Sequence, residues 1–296
     1  MEKGHLLVFG LGYSGGAVAR AAHAAGWQVT VATRDPARPE ARAMARAGVG
    51  VVAFADTAAA LAGATHLLAT AAPETAGDPV LAAHGDAIAA APALRWIGYL
   101  STTGVYGDRG GAWVDEATVP APGQDRSRRR LAAEQAWQAA ARRCAALDLI
   151  RLAGIYGPGR SALDDVRGGR ARRIVKPGHA FSRSHVADIA GLVLAAMARP
   201  APGVRVLHGA DDLPALSAEV IAHAARLLGL PPPPELAFEH AARTMSPMAL
   251  SFWAENRKVA NAITKAATGW APRYPTYREG LGAILAEQRG EGAAQQ

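Results

Sequence analysis

Apolar positions along the first half of the chain fall into two alternating rhythms. Short, nearly unbroken apolar runs occur at His5 to Phe9, Gln28 to Ala32, Gly50 to Phe54, His66 to Thr70, Leu94 to Ser101 and Leu149 to Ala153, and read as buried strands. Between them lie alanine-rich stretches with apolar residues three and four apart. In the first, Ala17, Val18, Ala21, Ala22 and Ala25 share one face of a helix predicted from about Ser14 to Ala25, with Gly26 as its stop. A longer helix is predicted from about Ser127 to Ala146. Strands and helices alternating at this spacing imply parallel βαβ units with right-handed crossovers, hence an α/β fold with a Rossmann-type doubly wound parallel sheet.

After Gly154 the pattern breaks into loops rich in glycine, proline and arginine, with helices predicted at Ile189 to Ala198 and Leu216 to Leu228. Pro231 to Pro234 is a rigid spacer. Residues 1–158 are expected to form the sheet domain, with 185–210 returning to it. Residues 159–184 and 211–288 are expected to form a smaller C-terminal substrate lobe, and 289–296 a frayed tail. Tyr274 to Leu281 is expected to dock the C-terminus.

Composition narrows the class. The chain has 296 residues, half of them hydrophobic, which is enough for a packed core without a staple. Cys144 is the single cysteine, so there is no internal disulfide, and buried filler is its expected role. No run of eighteen apolar residues predicts a membrane span, and Met1 to His5 leads into the first strand without a signal-type region, so a cytoplasmic protein without membrane contact is expected. The net charge of +7 is carried mostly by arginine, with clusters at Arg126 to Arg130 and Arg167 to Arg173 that lack interleaved aromatics. That distribution argues against nucleic acid and for an anionic small molecule. Arg160, Arg167, Arg170, Arg172 and Arg173 could attract one, although a solvated charged loop explains them as well.

The sharpest local signal is Gly10-Leu-Gly12-Tyr13-Ser14-Gly15-Gly16, between the first strand and first helix. In that position Gly10 permits a tight turn, Gly12 lets backbone approach a pyrophosphate, and Gly15 lets helix pack on strand. The helix N-terminus adds free N–H groups and a positive dipole end. Past the second strand, an acidic residue would favour NAD. Thr33 and Arg34 stand there instead, which favours NADP, with NAD still open because Asp35 is adjacent. Asp56 could accept from an adenine amino group or cap a helix. With Tyr13, Ser14 and Ala71, these complete the expected cofactor contacts.

Tyr99-Leu-Ser-Thr102-Thr-Gly-Val105-Tyr106-Gly107, Val114-Asp115-Glu116, Arg130-Leu-Ala-Ala-Glu134, Arg151 to Arg160 and His185-Val-Ala-Asp188 follow in an order and spacing that resemble the extended short-chain dehydrogenase/reductase superfamily, in its atypical, epimerase/dehydratase-like branch. The resemblance covers about the first 200 residues. It implies a nicotinamide cofactor over the strand ends, a substrate between two lobes, and compatibility with a homodimer.

The resemblance also implies a hydroxyl after the fifth strand, which falls on Thr102, and a tyrosine and lysine four apart on the next helix. Here those two positions hold Arg126 and Arg130, and an arginine cannot act as a general acid. One reading is an oxidoreductase in which Thr102 and Arg130 position the substrate oxygen. Its proton would come from Tyr106, from Asp108, Asp115 or Glu116, or from water, the blander role of Asp115 and Glu116 being to hold their loop. A second is a dinucleotide-binding sensor or scaffold without turnover, and a third a sugar-nucleotide epimerase or dehydratase. Against the third, the arginine expected four residues before His185 is Phe181, although Arg183 could substitute. His185 could carry a proton, but a structural role is favoured, with Asp188 capping the helix that follows. Trp253, Asn256 and Arg257 resemble a substrate-lobe helix, Trp253 packing in a core.

Overall fold

The computed structural model describes residues 3–141 and 146–290. Seven parallel strands form its centre: β1 (His5–Phe9), β2 (Gln28–Thr33), β3 (Gly50–Ala53), β4 (His66–Ala69), β5 (Trp96–Thr102), β6 (Ala146–Leu152) and β7 (Gly203–Gly209). Their spatial order is β3-β2-β1-β4-β5-β6-β7. The order reverses between β1 and β4, so helices leave on opposite faces and a crevice opens there at the carboxyl ends.

The helices are α1 (Tyr13–Ala24), α2 (Pro39–Arg46), α3 (Ala58–Gly63), α4 (Pro79–Ala90), α5 (Asp125–Ala140), α6 (Ala162–Arg167), α7 (Val186–Ala198), α8 (Ser217–Leu227), α9 (Phe238–Ala242), α10 (Pro247–Trp253), α11 (Ala262–Thr268) and α12 (Tyr277–Gln288). Strand alternation explains the two layers. Leu6 and Val8 pack with Val18, Met44, Ile189 and Leu192 of α1, α2 and α7, whereas Leu7 and Phe9 pack with Leu61, Val80, Ile88 and Trp137 of α3, α4 and α5. Beyond the sheet, Tyr156, Leu163, Val220, Tyr277, Leu281 and Ile284 form a small core joining α6, α8 and α12. Ile174, Ala241 and Trp253 form another, so Trp253 packs as expected.

The doubly wound parallel sheet is present as expected, and several boundaries shift. The long helix starts at Asp125 rather than Ser127 and is described as far as Ala140. The expected role of Cys144 lies outside the described residues. Strand β7 has no counterpart in the sequence pattern, because it is an edge strand whose half-exposed start, Gly203 to Val206, breaks the apolar run. The helix expected from Ile189 begins at Val186, and its cap is His185, whose Nδ1 accepts from the Ala187 N–H at 3.2 Å. Asp188 is not the cap. It lies in the first turn and accepts from the N–H groups of Arg273 and Tyr274 at 2.5 and 3.2 Å, which ties the segment before α12 to α7. Nor does Asp56 cap a helix: Thr57 occupies the cap position of α3, and Asp56 is exposed.

Candidate functional site

The turn after β1 is shaped by its glycines. Gly10 has φ +107°, a conformation side chains rarely adopt. A Cβ on Gly15 would overlap the Gly10 carbonyl oxygen, so α1 can approach β1 only with glycine there. A Cβ on Gly12 would meet nothing within 4 Å, leaving exposed backbone bordered by open space. Gly12 is the N-cap of α1 and supplies no capping side chain, so the first helical N–H groups, from Tyr13 and Ser14 on, have no side chain covering them. This cradle fits an anionic group such as a pyrophosphate. The Tyr13 hydroxyl donates to the Pro158 carbonyl at 3.0 Å, and Arg160 lies over its ring, tying the loop to the turn after β6.

At the end of β2, Thr33 is buried and Arg34 is exposed. Asp35 accepts from the Ala37 N–H at 2.8 Å and so closes its own turn. Arg38, which no motif singles out, donates to the Leu11 carbonyl inside the glycine loop. Nothing in the local pattern marks that contact, since its partner is 27 residues away.

The carboxyl ends of β5 and β6 open onto a cavity of about 610 Å³. Thr102, Arg126, Arg130, Phe181, Arg183, Phe252, Trp253, Glu255 and Arg257 are among the residues that line it. The Thr102 Oγ1 accepts from the Gly104 N–H at 3.1 Å and thereby starts the turn Thr103–Tyr106. Arg126 stacks over Phe252 with its guanidinium 4.0 Å from the ring centre. Arg130 turns inward, its Nη1 donating to the Tyr99 hydroxyl at 3.1 Å, the Leu100 carbonyl at 2.9 Å and the Ala71 carbonyl at 3.4 Å. A second cavity of about 430 Å³ shares Tyr156, Arg183 and Ser217 with the first and adds Arg160 and Arg170. Arg167 instead bonds Gln288, and Arg173 pairs with Glu235 at 2.8 Å.

The side chains expected as proton donors, Tyr106, Asp108, Asp115 and Glu116, all lie off the main cavity wall. Tyr106 is fully buried. Arg151 donates to its hydroxyl at 2.8 Å, and the hydroxyl meets His208 Nε2 at 2.5 Å. Because His208 Nδ1 must donate to the Ala260 carbonyl at 2.7 Å, a neutral ring leaves Nε2 to accept from Tyr106. Burial pushes the Tyr106 hydroxyl up to about 12, with Arg151 opposing, and burial also holds His208 below the ordinary imidazole range. Asp108 accepts from the N–H groups of Asn256 and Gly110, and Asp115 closes its turn through Thr118. Glu116 accepts from both the N–H and the hydroxyl of Thr264 at 2.9 and 2.5 Å, which ties that loop to α11. The carboxylate that does line the cavity is Glu255, in a loop just past α10 where the sequence pattern carries no signal.

The likenesses of this chain agree with the fold. No family model matches it. A conserved protein of unknown function from Silicibacter pomeroyi has a structure 46% identical in sequence, superposing with a TM-score of 0.88 over 97% of this chain and 99% of that one. Human epimerase family protein SDR39U1, solved with NADPH, is 21% identical with a TM-score of 0.72, over 95% of this chain and 98% of that one. MoeE5, solved with UDP-glucuronic acid and NAD, is 18% identical with a TM-score of 0.74, over 97% of this chain and 100% of that one. A curated relative, a 3-diazoavenalumate denitrifying reductase from Streptomyces sp, is 36% identical over 142 residues, which is 45% of this chain and 45% of the relative. The match therefore spans under half of that reductase. Among the described residues no helix is long and apolar enough to cross a membrane.

Proposed function

We propose that this chain is an oxidoreductase of the extended short-chain dehydrogenase/reductase type, epimerase/dehydratase-like, that prefers NADP and acts on a small anionic substrate. The observation that carries the reading is the glycine cradle, with an open Gly12 and an uncapped α1. The NADPH held by the human neighbour and the NAD held by MoeE5 support it. When bound, the dinucleotide supplies a hydride donor or acceptor.

The chain's own residues do the rest. The amides at the start of α1 take the pyrophosphate, and Arg34 takes the ribose phosphate while Asp35 is engaged in its turn. Thr102, with its lone pair on the Gly104 N–H, has a hydroxyl hydrogen to give a substrate oxygen. Arg126 and Arg130 act by charge, steadying negative charge on that oxygen without transferring a proton. Arg130 also holds the ends of β4 and β5 in register through the Ala71 and Leu100 carbonyls. A sugar-diphosphate substrate fits less well. Phe181 stands in the cavity wall, and Arg183 commits Nη1 to the Phe181 and Ala215 carbonyls at 2.8 and 3.1 Å.

Fluorescence titration with NADPH and NADH, followed by carbonyl and sugar-nucleotide panels, tests this. We expect tighter NADPH binding and hydride transfer that falls at least tenfold in Thr102→Val with cofactor affinity kept. Absence of binding by either nucleotide overturns the reading. Binding without transfer to any panel member replaces it with the sensor reading.

A further inference from the structure

Positive charge gathers around the glycine cradle. Arg34 and Arg42 are exposed, and Arg38 between them donates to the Leu11 carbonyl of the loop itself. Arg38 is the N-cap of α2, and Arg42, four residues on, shares its side of the helix, while Ala41 and Met44 turn into the core. Arg20 comes to the same place from α1. A Cβ on Gly16 would meet Arg20 Nη1 at 3.5 Å and Met44 of α2 at 3.7 Å. The exposed Arg20 side chain thus runs back along α1 towards the turn that forms the cradle. Two acids, Asp35 and Glu40, oppose these four arginines. Asp35 closes its own turn and Glu40 lies 3.8 Å from Arg38, whereas Arg20, Arg34 and Arg42 have no acid within ion-pair distance among the described residues.

We propose that Arg20 and Arg42 form a capture surface for NADPH. They draw the polyanionic dinucleotide to the cradle, where Arg34 and the α1 amides hold it. Arg42 stands one helix turn, about 6 Å, along α2 from Arg38, so it acts through its field rather than by contact. Charges at the rim of a site act mainly on the association rate and its salt dependence. The 2′-phosphate gives NADPH about 1.5 to 2 more negative charges than NADH, so the same field draws NADPH harder. Part of the cofactor preference therefore lies in the rate of arrival. The proposal rests on the NADP-binding reading of the cradle and adds two residues which that reading does not use.

Stopped-flow fluorescence with NADPH and NADH tests it, at about 0.01 M and about 1 M salt, where screening lengths are about 30 Å and about 3 Å. In the double variant Arg20→Gln, Arg42→Gln the association rate of NADPH should fall about threefold at low salt and that of NADH less than about twofold. Dissociation rates should stay as in the parent, and the differences should vanish at high salt. The double variant Arg20→Lys, Arg42→Lys keeps the charge and should keep the rate, which a packing or hydrogen-bonding role of the guanidinium would not. As a control, Arg95→Gln with Arg199→Gln removes the same charge from exposed positions before β5 and β7, at the opposite edge of the sheet. That pair should leave the rate within about 1.5-fold. An unchanged association rate in the glutamine pair, a loss that appears in dissociation instead, a loss that persists in the lysine pair, or an equal loss in the control overturns the proposal. If the parent binds nucleotide and any of these results is found, only the capture surface fails; if the parent binds neither nucleotide, the NADP reading fails and the proposal with it.

Discussion

Glu134 on α5 and Arg151 on β6 form an enclosed bidentate ion pair, with Nε to Oε1 at 3.0 Å and Nη2 to Oε2 at 2.7 Å. Ser101 at the end of β5 adds a third donor to Oε1 at 2.5 Å, and Arg151 Nη1 continues to Tyr106. The pair thus locks the helix that carries Arg126 and Arg130 to the strand ends that carry Thr102.

Breaking that pair on one side should be severe. Arg151→Met leaves a buried carboxylate without its partner and should cost about 3–5 kcal/mol in urea unfolding. The double change Glu134→Leu with Arg151→Met should cost much less than the two single changes added together. Additive losses would mean that the two side chains act independently.

The two loop glycines should separate folding from binding. Gly15→Ala forces a Cβ against the Gly10 carbonyl and should lower the thermal midpoint markedly. Gly12→Val has open space on the protein side, so the midpoint should stay within a few degrees while NADPH affinity falls at least tenfold. Scanning calorimetry and fluorescence titration on both variants check this.

Cofactor choice should divide between two arginines. Arg34→Ala should narrow the preference for NADPH over NADH by roughly tenfold, the size of one lost charge-assisted contact. Arg38 braces the Leu11 carbonyl, so Arg38→Ala should weaken both nucleotides about equally. Parallel dissociation constants for the four combinations decide it.

His185 should make the protein acid-sensitive. Burial, aided by Arg273, lowers its ring to about 4, and the neutral form is needed for Nδ1 to cap α7. A lowered folded value means that the stabilisation is full above about pH 6.5 and is lost as pH falls towards 4. Its size is at most about 3 kcal/mol. Asp188 and Asp211, raised by burial to about 6 and about 7, act oppositely: their contribution is full below about pH 4 and is lost as pH rises through those values. The variant is therefore judged by difference. His185→Asn, which can still cap, should show a smaller drop in thermal midpoint between pH 6.5 and 4.5 than the parent does, and an identical drop would remove His185 from the effect.

Local chemistry explains what could be read from residue order alone. The six apolar runs, the helix after Gly10-Leu-Gly12 and the fold they imply depend on neighbours a few positions apart, which periodicity and turn glycines report directly. Thr102, Arg126 and Arg130, which the family resemblance pointed to, line the main cavity. Contacts across the chain were decided only by packing. The pairing of the edge strand Gly203–Gly209 with β6, the tie of Asp188 to Arg273 and Tyr274, the enclosure of Tyr106 between Arg151 and His208, and the lining of one cavity by Thr102, Phe252, Trp253 and Glu255 each join segments far apart in sequence. Whether a polar side chain there faces a ligand or a buried partner depends on what the fold brings against it, and no pattern along the chain carries that information.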